Sequence, residues 1–162
     1  MTPIILLAVI AGVPVLYALL FRISAVFLFL SVVIGDLLVK YLSDDVSLAL
    51  ATMIRGPKVP MITQLVLLLL PVIMTMVWLR KSMPKLKLLL HIPALILSGL
   101  TLAVFTLSLL ETSVQTEITS TPIGHAFNSS QDIIIGVASV SVLILAFISY
   151  RHREGKHGKH HK

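Results

Sequence analysis

The sequence predicts an all-α polytopic membrane protein, a bundle of about five transmembrane helices with one short interfacial helix. Of its 162 residues, 57% are hydrophobic and only 12% are charged, whereas soluble domains carry about 25% charged residues. The hydrophobic residues also gather into segments of about 20, the length that a helix needs to cross roughly 30 Å of hydrocarbon. We therefore expect one membrane domain over residues 1–150, with spans at 3–21, 23–42, 61–79, 88–110 and 133–150.

Small residues in the first and fourth spans have the spacing of helix-contact motifs. Ala8 and Gly12 are four residues apart in PIILLAVIAGVPVLYALLF, and Gly99 and Ala103 repeat that spacing. Small side chains at this interval let two membrane helices approach closely. We predict that both pairs form helix-packing faces.

The second span, ISAVFLFLSVVIGDLLVKYL, carries Asp36 inside the apolar run and Lys40 one turn later. An acid near the centre of a membrane helix costs on the order of 3 kcal/mol on insertion scales, which the surrounding Leu, Ile, Val and Phe residues outweigh. Helical spacing places Ser24, Ser31 and Gly35 in a stripe of small residues beside Asp36. The stripe is predicted to pack against another helix, with Asp36 at its edge.

Two roles for Asp36 follow from this position. In the first role, Asp36 lines a path as an ion- or proton-binding carboxylate, which is the usual reason for an acid inside a membrane. In the second role, Asp36 forms an intrahelical pair with Lys40 in the favourable order, with the acid before the base, and the Lys40 ammonium reaches outward. His91 would extend the first role into a relay. Counting residues along each span separates the two by roughly 17 Å of depth, so we interpret His91 as an interfacial side chain.

The remaining segments are predicted to lie outside the spans. Residues 43–56 are predicted to form the short helix, which Ser43 or Asp44 caps and Gly56-Pro57 ends. The apolar part of this helix is about 15 Å long, too short to span the membrane, so we expect it to be interfacial or re-entrant. Residues 111–132 are expected to form a polar loop. The tail 151–162, RHREGKHGKHHK, is predicted to be disordered.

The distribution of basic residues predicts the orientation. Loops rich in Lys and Arg stay in the cytoplasm, and the segment 111–132 has neither residue. We therefore expect a protein of the bacterial cytoplasmic (inner) membrane with its N-terminus outside and its C-terminus in the cytoplasm, although Arg55 and Lys58 then lie outside. The residues expected to set this topology are Arg80, Lys81, Lys85, Lys87, Arg151 and Arg153.

Several classes of function find no support in the sequence. The chain has no cysteine, which excludes disulfides and thiolate metal sites. It shows no nucleophile elbow, no HExxH pattern and no glycine-rich phosphate loop, so we expect neither an enzyme nor a cofactor or metal. The basic residues flank apolar segments, which argues against nucleic acid as a partner. The expected partners are membrane lipids and other membrane-protein subunits, or further copies of the same chain.

Residues 18–42, ALLFRISAVFLFLSVVIGDLLVKYL, and the basic turn between the third and fourth spans resemble the colicin V production protein family, small bacterial inner-membrane proteins with closely spaced helices. The sequence departs from that family in its fifth span and in lacking a glycine-rich segment around residues 82–92. The resemblance implies a role in export or envelope maintenance without catalytic residues. We expect a non-enzymatic assembly, scaffold or accessory subunit acting through helix–helix contacts; the alternative is a small ion- or proton-coupled transporter or channel subunit that uses Asp36.

Overall fold

The computed structural model describes residues 2–53, 59–79 and 88–157. In these ranges the chain is almost entirely helical and contains no strand, so the prediction of an all-α bundle is confirmed. The helices, in chain order, are α1 (Thr2–Phe21), α2 (Ala25–Met53), α3 (Val59–Trp78), α4 (Leu88–Leu109), α5 (Thr112–Thr119), α6 (Pro122–Ser129) and α7 (Gln131–His157).

Four of these helices contain a segment long and apolar enough to cross a membrane, by length and composition. The segments are Ala25–Leu50, Val59–Trp78, His91–Leu109 and Gln131–Ile148. These segments identify the chain as a membrane protein. They agree with four of the five predicted spans. Helix α1 has 20 residues, but the apolar stretch Leu7–Phe21 is shorter than the other four. A crossing by α1 stays a prediction.

Helix α4 lies at the centre of the bundle. It contacts α1, α2, α3 and α7, while α2 packs most extensively against α3. The common core is apolar and includes Leu28, Leu68, Leu95, Leu102 and Val142. Most large apolar side chains of α1 and α7 point outward instead. In a membrane that outer surface meets acyl chains, so close packing rather than water exclusion holds the helices together.

The connection between α1 and α2 is a tight turn around Arg22. Arg22 has a φ of 53°, in the left-handed region, and the amide of Ile23 donates to the carbonyl of Ala18 at 2.8 Å. This bond is the one that closes a Schellman motif, in which glycine usually occupies the left-handed position. Ile23 and Ala18 are both fully buried, supplying the apolar contact that accompanies the motif. A short, well-defined turn therefore joins α1 to α2, while α1 makes its main contact with α4.

Residues 43–53 do not form a separate short helix, so that prediction was wrong. They continue α2 without a break from Ala25 to Met53. Ser43 is buried and its hydroxyl donates to the Asp44 carboxylate, while Ser47 donates to the Asp44 carbonyl. These residues often begin helices, but neither glycine nor proline occurs between Ser43 and Met53, so α2 continues through them. Residues 54–58, which include Arg55 and Lys58, lie outside the described residues.

The two other predicted non-helical segments are also corrected. Residues 111–132 hold the short helices α5 and α6 rather than an irregular loop. Helix α7 continues to His157 instead of ending at Tyr150, because the residues that follow Tyr150 are mostly Arg, Lys, Glu and His, none of which breaks a helix. Residues 158–162 of the tail lie outside the described residues.

Helices α5 and α6 form a cap on one end of the bundle. Ile118 of α5 is buried with Leu107 of α4, and Leu7 of α1 and Met61 of α3 pack against them. The start of α1, the start of α3 and the end of α4 therefore meet at this end. Arg22 marks the opposite end, where α1 stops.

Candidate functional site

The central feature of the candidate site is the closest approach of α2 to α3. Gly35 lies on the buried face of α2, together with Leu28, Val32 and Val39. A Cβ atom placed on Gly35 would overlap the backbone carbonyl of Leu68. The predicted packing role of Gly35 is therefore confirmed, because only glycine allows the two backbones to come this close.

Asp36 and Lys40 form an ion pair beside this crossing. The Lys40 Nζ atom lies 2.7 Å from Asp36 Oδ2, with 18% of the Asp36 side chain exposed and 64% of the Lys40 side chain. The pair has the i, i+4 spacing expected from the sequence. Lys40 reaches back along its own helix to the carboxylate, so its ammonium does not extend away from Asp36. Within the described ranges, Lys40 is the partner that the structure gives to the carboxylate.

The Gly35–Leu68 contact also sets the depth of the pair. Leu68 is the tenth of the 20 residues of α3, Val59–Trp78. Because α3 is just long enough to cross about 30 Å of hydrocarbon, its middle residue lies near the centre of the bilayer. Asp36, next to Gly35, lies at nearly the same depth, where an unpaired charge is most costly.

A second glycine contact joins α4 to α1. A Cβ atom on Gly99 would overlap the Val15 side chain and would lie 2.9 Å from the carbonyl oxygen of Ala11. Ala103, one turn later, is buried. The predicted packing roles of Gly99 and Ala103 are confirmed, and this crossing also lies halfway along both helices.

The surface that α1 presents to Gly99 differs from the predicted one. Ala11 and Val15 make the contact, whereas a Cβ on Gly12 would meet no described atom within 4 Å and Ala8 is exposed. Within the described chain, Ala8 and Gly12 are therefore not a tight helix contact. Ala11, which is half-buried, and Ala18, which is fully buried, are seven residues apart on the inner side of α1, a spacing that was not predicted.

The two serines of the predicted stripe of small residues lie in different parts of the structure. Ser31 is buried on α2, and its hydroxyl donates to the carbonyl of Leu28 at 2.7 Å. Ser24 precedes the first residue of α2, and its carbonyl accepts the first hydrogen bonds of that helix. Ser31 therefore belongs to the packing face, as predicted, and Ser24 belongs to the helix start.

Buried hydroxyls of α4 bond within their own helix. Ser98, Thr101 and Thr106 each donate to the carbonyl four residues earlier, at 2.7, 2.9 and 2.8 Å. His91 lies in the first turn of α4, where the sequence predicted it, but its side chain is only 3% exposed and therefore faces the bundle. The sequence distance from the basic turn suggested the interface, but the face of α4 that carries His91 points into the bundle.

The cap is tied to the bundle by the Gln115 amide. Its Nε2 atom donates to the carbonyls of Leu107 at 3.0 Å and Leu110 at 2.9 Å. The final carbonyls of a helix have no partner within the helix, so Gln115 satisfies the end of α4. Thr121 then caps α6, accepting from the Gly124 amide and donating to the Ile118 carbonyl.

Two cavities adjoin the cap. A polar groove of about 400 Å³ runs between the end of α4 and the short helices. A smaller cavity of about 140 Å³ has an entirely apolar lining that includes Ala8, Ala103 and Phe127. Neither cavity was predictable from the sequence, because both depend on how α5 and α6 fold over the ends of the long helices.

No group of three or more His, Asp or Glu side chains that could hold a metal lies within the described residues. Arg80, Lys81, Lys85 and Lys87 lie outside them. Arg151 and Arg153 belong to α7.

Comparisons with family models, curated proteins and solved structures found no match to this chain. The resemblance to the colicin V production protein family therefore stays a prediction.

Proposed function

We propose that the protein is a non-enzymatic assembly, scaffold or accessory subunit of the bacterial cytoplasmic membrane that acts through helix–helix contacts. The resemblance to the colicin V production protein family adds a role in export or envelope maintenance to this proposal. The basic residues that follow α3 and the Lys- and Arg-free cap support an orientation with the cap and N-terminus outside and the C-terminus inside.

The observation that carries the proposal is the open small-residue face of α1. Ala8 is exposed, and Gly12 has no described atom within 4 Å of the place its Cβ would occupy. Four-residue spacing of small residues is a contact surface for membrane helices. Because α1 uses Ala11 and Val15 for its contact with α4, Gly12 remains available to a helix of another chain. Ala8 borders the apolar cavity beside the cap but is still exposed, one turn before Gly12.

Substitution of Gly12 tests the proposal with a matched control. Gly12→Leu adds a large side chain to a position that is open in the described chain, so the fold should persist while the outer contact is blocked. Gly136→Leu adds the same side chain to another open glycine, on α7. Complexes isolated from membranes in mild detergent should be lost in G12L and kept in G136L. Complexes that persist in G12L, or a wild-type chain found only as a monomer without a partner, would contradict the proposal.

The second candidate is an ion- or proton-coupled transporter or channel subunit, favoured by the depth of Asp36. A carboxylate near the middle of a membrane helix is most often a functional group. Against this role stands the pairing with Lys40, whose ammonium occupies the position of a bound cation. The two candidates differ in what Asp36→Asn should change: stability for a structural pair, and ion or proton flux for an ion site.

A further inference from the structure

The polar groove beside the cap has a lining with an unusual hydrogen-bonding character. It is about 400 Å³ in volume and is lined mainly by side chains that carry hydroxyl or amide groups. None of its lining residues is charged. The polar lining residues are Ser108, Gln115, Thr116, Thr119, Asn128 and Gln131.

The hydroxyl protons of this lining are already used within the protein. Ser108 donates to the carbonyl of Phe105 at 2.7 Å, Thr116 to that of Thr112 at 2.8 Å, and Thr119 to that of Gln115 at 2.9 Å. A hydroxyl has one proton to donate but two lone pairs that accept. Each of these three side chains therefore has only accepting capacity left for a ligand.

The side-chain amides of the lining also have oxygens that are free to accept hydrogen bonds. Both protons of the Gln115 amide are engaged by the carbonyls at the end of α4, which leaves its Oε1 atom to accept. The Gln131 amide donates one proton to Asn128 Oδ1 at 3.2 Å, and its own oxygen is again an acceptor. The second proton of Gln131 and the amide protons of Asn128 are the donors left in the lining, fewer than its accepting lone pairs. Most of the remaining hydrogen-bonding capacity of the groove thus consists of lone pairs.

The surrounding charge favours the same kind of ligand. Glu111, Glu117 and Asp132 are exposed and flank the lining residues in sequence, while no Lys or Arg occurs between Lys87 and Arg151. His125 is exposed on α6 and does not line the groove. The acids add negative charge to the cap that carries the groove, and none of them lines it.

We propose that this groove binds a primary ammonium group. An alkylammonium carries three N–H donors and no acceptor, which matches a lining of hydroxyl and amide oxygens, and its hydrogen bonds are strengthened by charge. The ammonium comes either from a small soluble amine or from the headgroup of phosphatidylethanolamine, since the groove lies at the end of membrane-crossing helices. The proposal is independent of the subunit role proposed above.

The soluble source is tested by titrating the full-length protein in phosphatidylcholine nanodiscs and following the side-chain amide NMR signals of Gln115, Asn128 and Gln131. Three probes separate the requirements: ethanolamine supplies charge and N–H donors, tetramethylammonium supplies charge alone, and ethylene glycol supplies neutral hydroxyls. Ethanolamine should shift the amide signals saturably and the other two should not. Equal shifts with tetramethylammonium, or no saturable shift with ethanolamine and no lipid preference, would overturn the proposal.

The lipid source is tested in nanodiscs that contain equal amounts of phosphatidylethanolamine and phosphatidylcholine. Native mass spectrometry should then find phosphatidylethanolamine retained in preference, because the quaternary ammonium of phosphatidylcholine has no N–H. Retention of phosphatidylethanolamine identifies the lipid as the source, and saturable binding of ethanolamine without lipid preference identifies a soluble amine. Either result supports the ammonium site.

Substitutions of the lining residues test whether the ammonium binds in the groove. Thr116→Val and Thr119→Val remove accepting oxygens while keeping the side-chain shape, and each should weaken binding about tenfold, since a hydrogen bond to a charged group accounts for about that factor. Thr116→Ser should retain binding. Thr112→Val makes the same change on α5 at an exposed position that does not line the groove and should bind as the wild type does. Equal loss in T112V would contradict the assignment.

Discussion

The backbone of Gly35 in α2 lies against the carbonyl of Leu68 in α3, with no room for a Cβ atom between them. The contact lies at the middle of α3 and next to the ion pair of Asp36 and Lys40. It therefore fixes both how closely the two helices pack and where the charged pair lies in the bundle.

Gly35→Ala should destabilise the protein, because the new methyl group overlaps a backbone carbonyl that cannot move without separating α2 from α3. Overpacking of this kind costs about 1–3 kcal/mol. Thermal unfolding in detergent should show a lower midpoint. Gly136→Ala, at a glycine with open space around it, should leave the midpoint unchanged or raise it slightly. A midpoint for G35A equal to that of G136A would contradict the close contact.

Asp36→Asn should separate the two roles of the carboxylate. If the pair is structural, the unpaired Lys40 ammonium costs up to about 3 kcal/mol in the bilayer, and the additional change Lys40→Met should restore part of the lost stability. If Asp36 binds ions, proton or cation flux in proteoliposomes should fall while the unfolding midpoint stays the same.

Asp45→Asn is the control for this pair of variants, since it removes an exposed acid from the same helix. It should change neither stability nor flux. A D36N protein with unaltered stability and unaltered flux would exclude both roles.

Gln115→Leu should loosen the end of α4. The substitution keeps most of the side-chain volume but leaves the carbonyls of Leu107 and Leu110 without the amide donor, at a cost of about 1–2 kcal/mol. Hydrogen exchange should accelerate in the last turn of α4 and in α5. Gln131→Leu removes an amide that bonds only to the Asn128 side chain among the described residues and should have little effect on exchange in α4.

Arg22→Gly should stabilise the turn between α1 and α2. Arg22 has a φ of 53°, a conformation that glycine adopts without the steric cost other residues bear, about 1 kcal/mol. Chemical unfolding should show a gain of that order. Arg22→Lys, which retains both the charge and the β-carbon, should match the wild type. A loss of stability in R22G would show that the arginine side chain matters more than its backbone conformation.

The sequence was a good guide to features that depend on one helix. Apolar length predicted where the long helices lie, and the i, i+4 spacing of Asp36 and Lys40 predicted their pairing, because both follow from helical geometry alone. Gly35 and Gly99 were also identified correctly, since a missing side chain on a membrane helix usually serves a close approach.

The sequence was a poor guide where the outcome depends on neighbouring helices. Ser43 and Asp44 are residues typical of a helix start, yet α2 runs through them because no competing structure interrupts it. His91 was assigned by its distance from the basic turn, whereas its burial depends on which face of α4 meets the bundle. Ala8 and Gly12 share a spacing with Gly99 and Ala103, but Gly99 lies tightly against another helix of the chain, whereas Gly12 has open space around it.

The tight turn at Arg22 has a consequence for how the protein is made. Only residues 22–24 join α1 to α2, which leaves no slack for one helix to settle in the bilayer while the other remains in water. We expect the insertion machinery to receive the two helices together, and only after the ribosome has completed most of α2. The side of the membrane on which Arg22 is held would then set the direction in which α2 crosses.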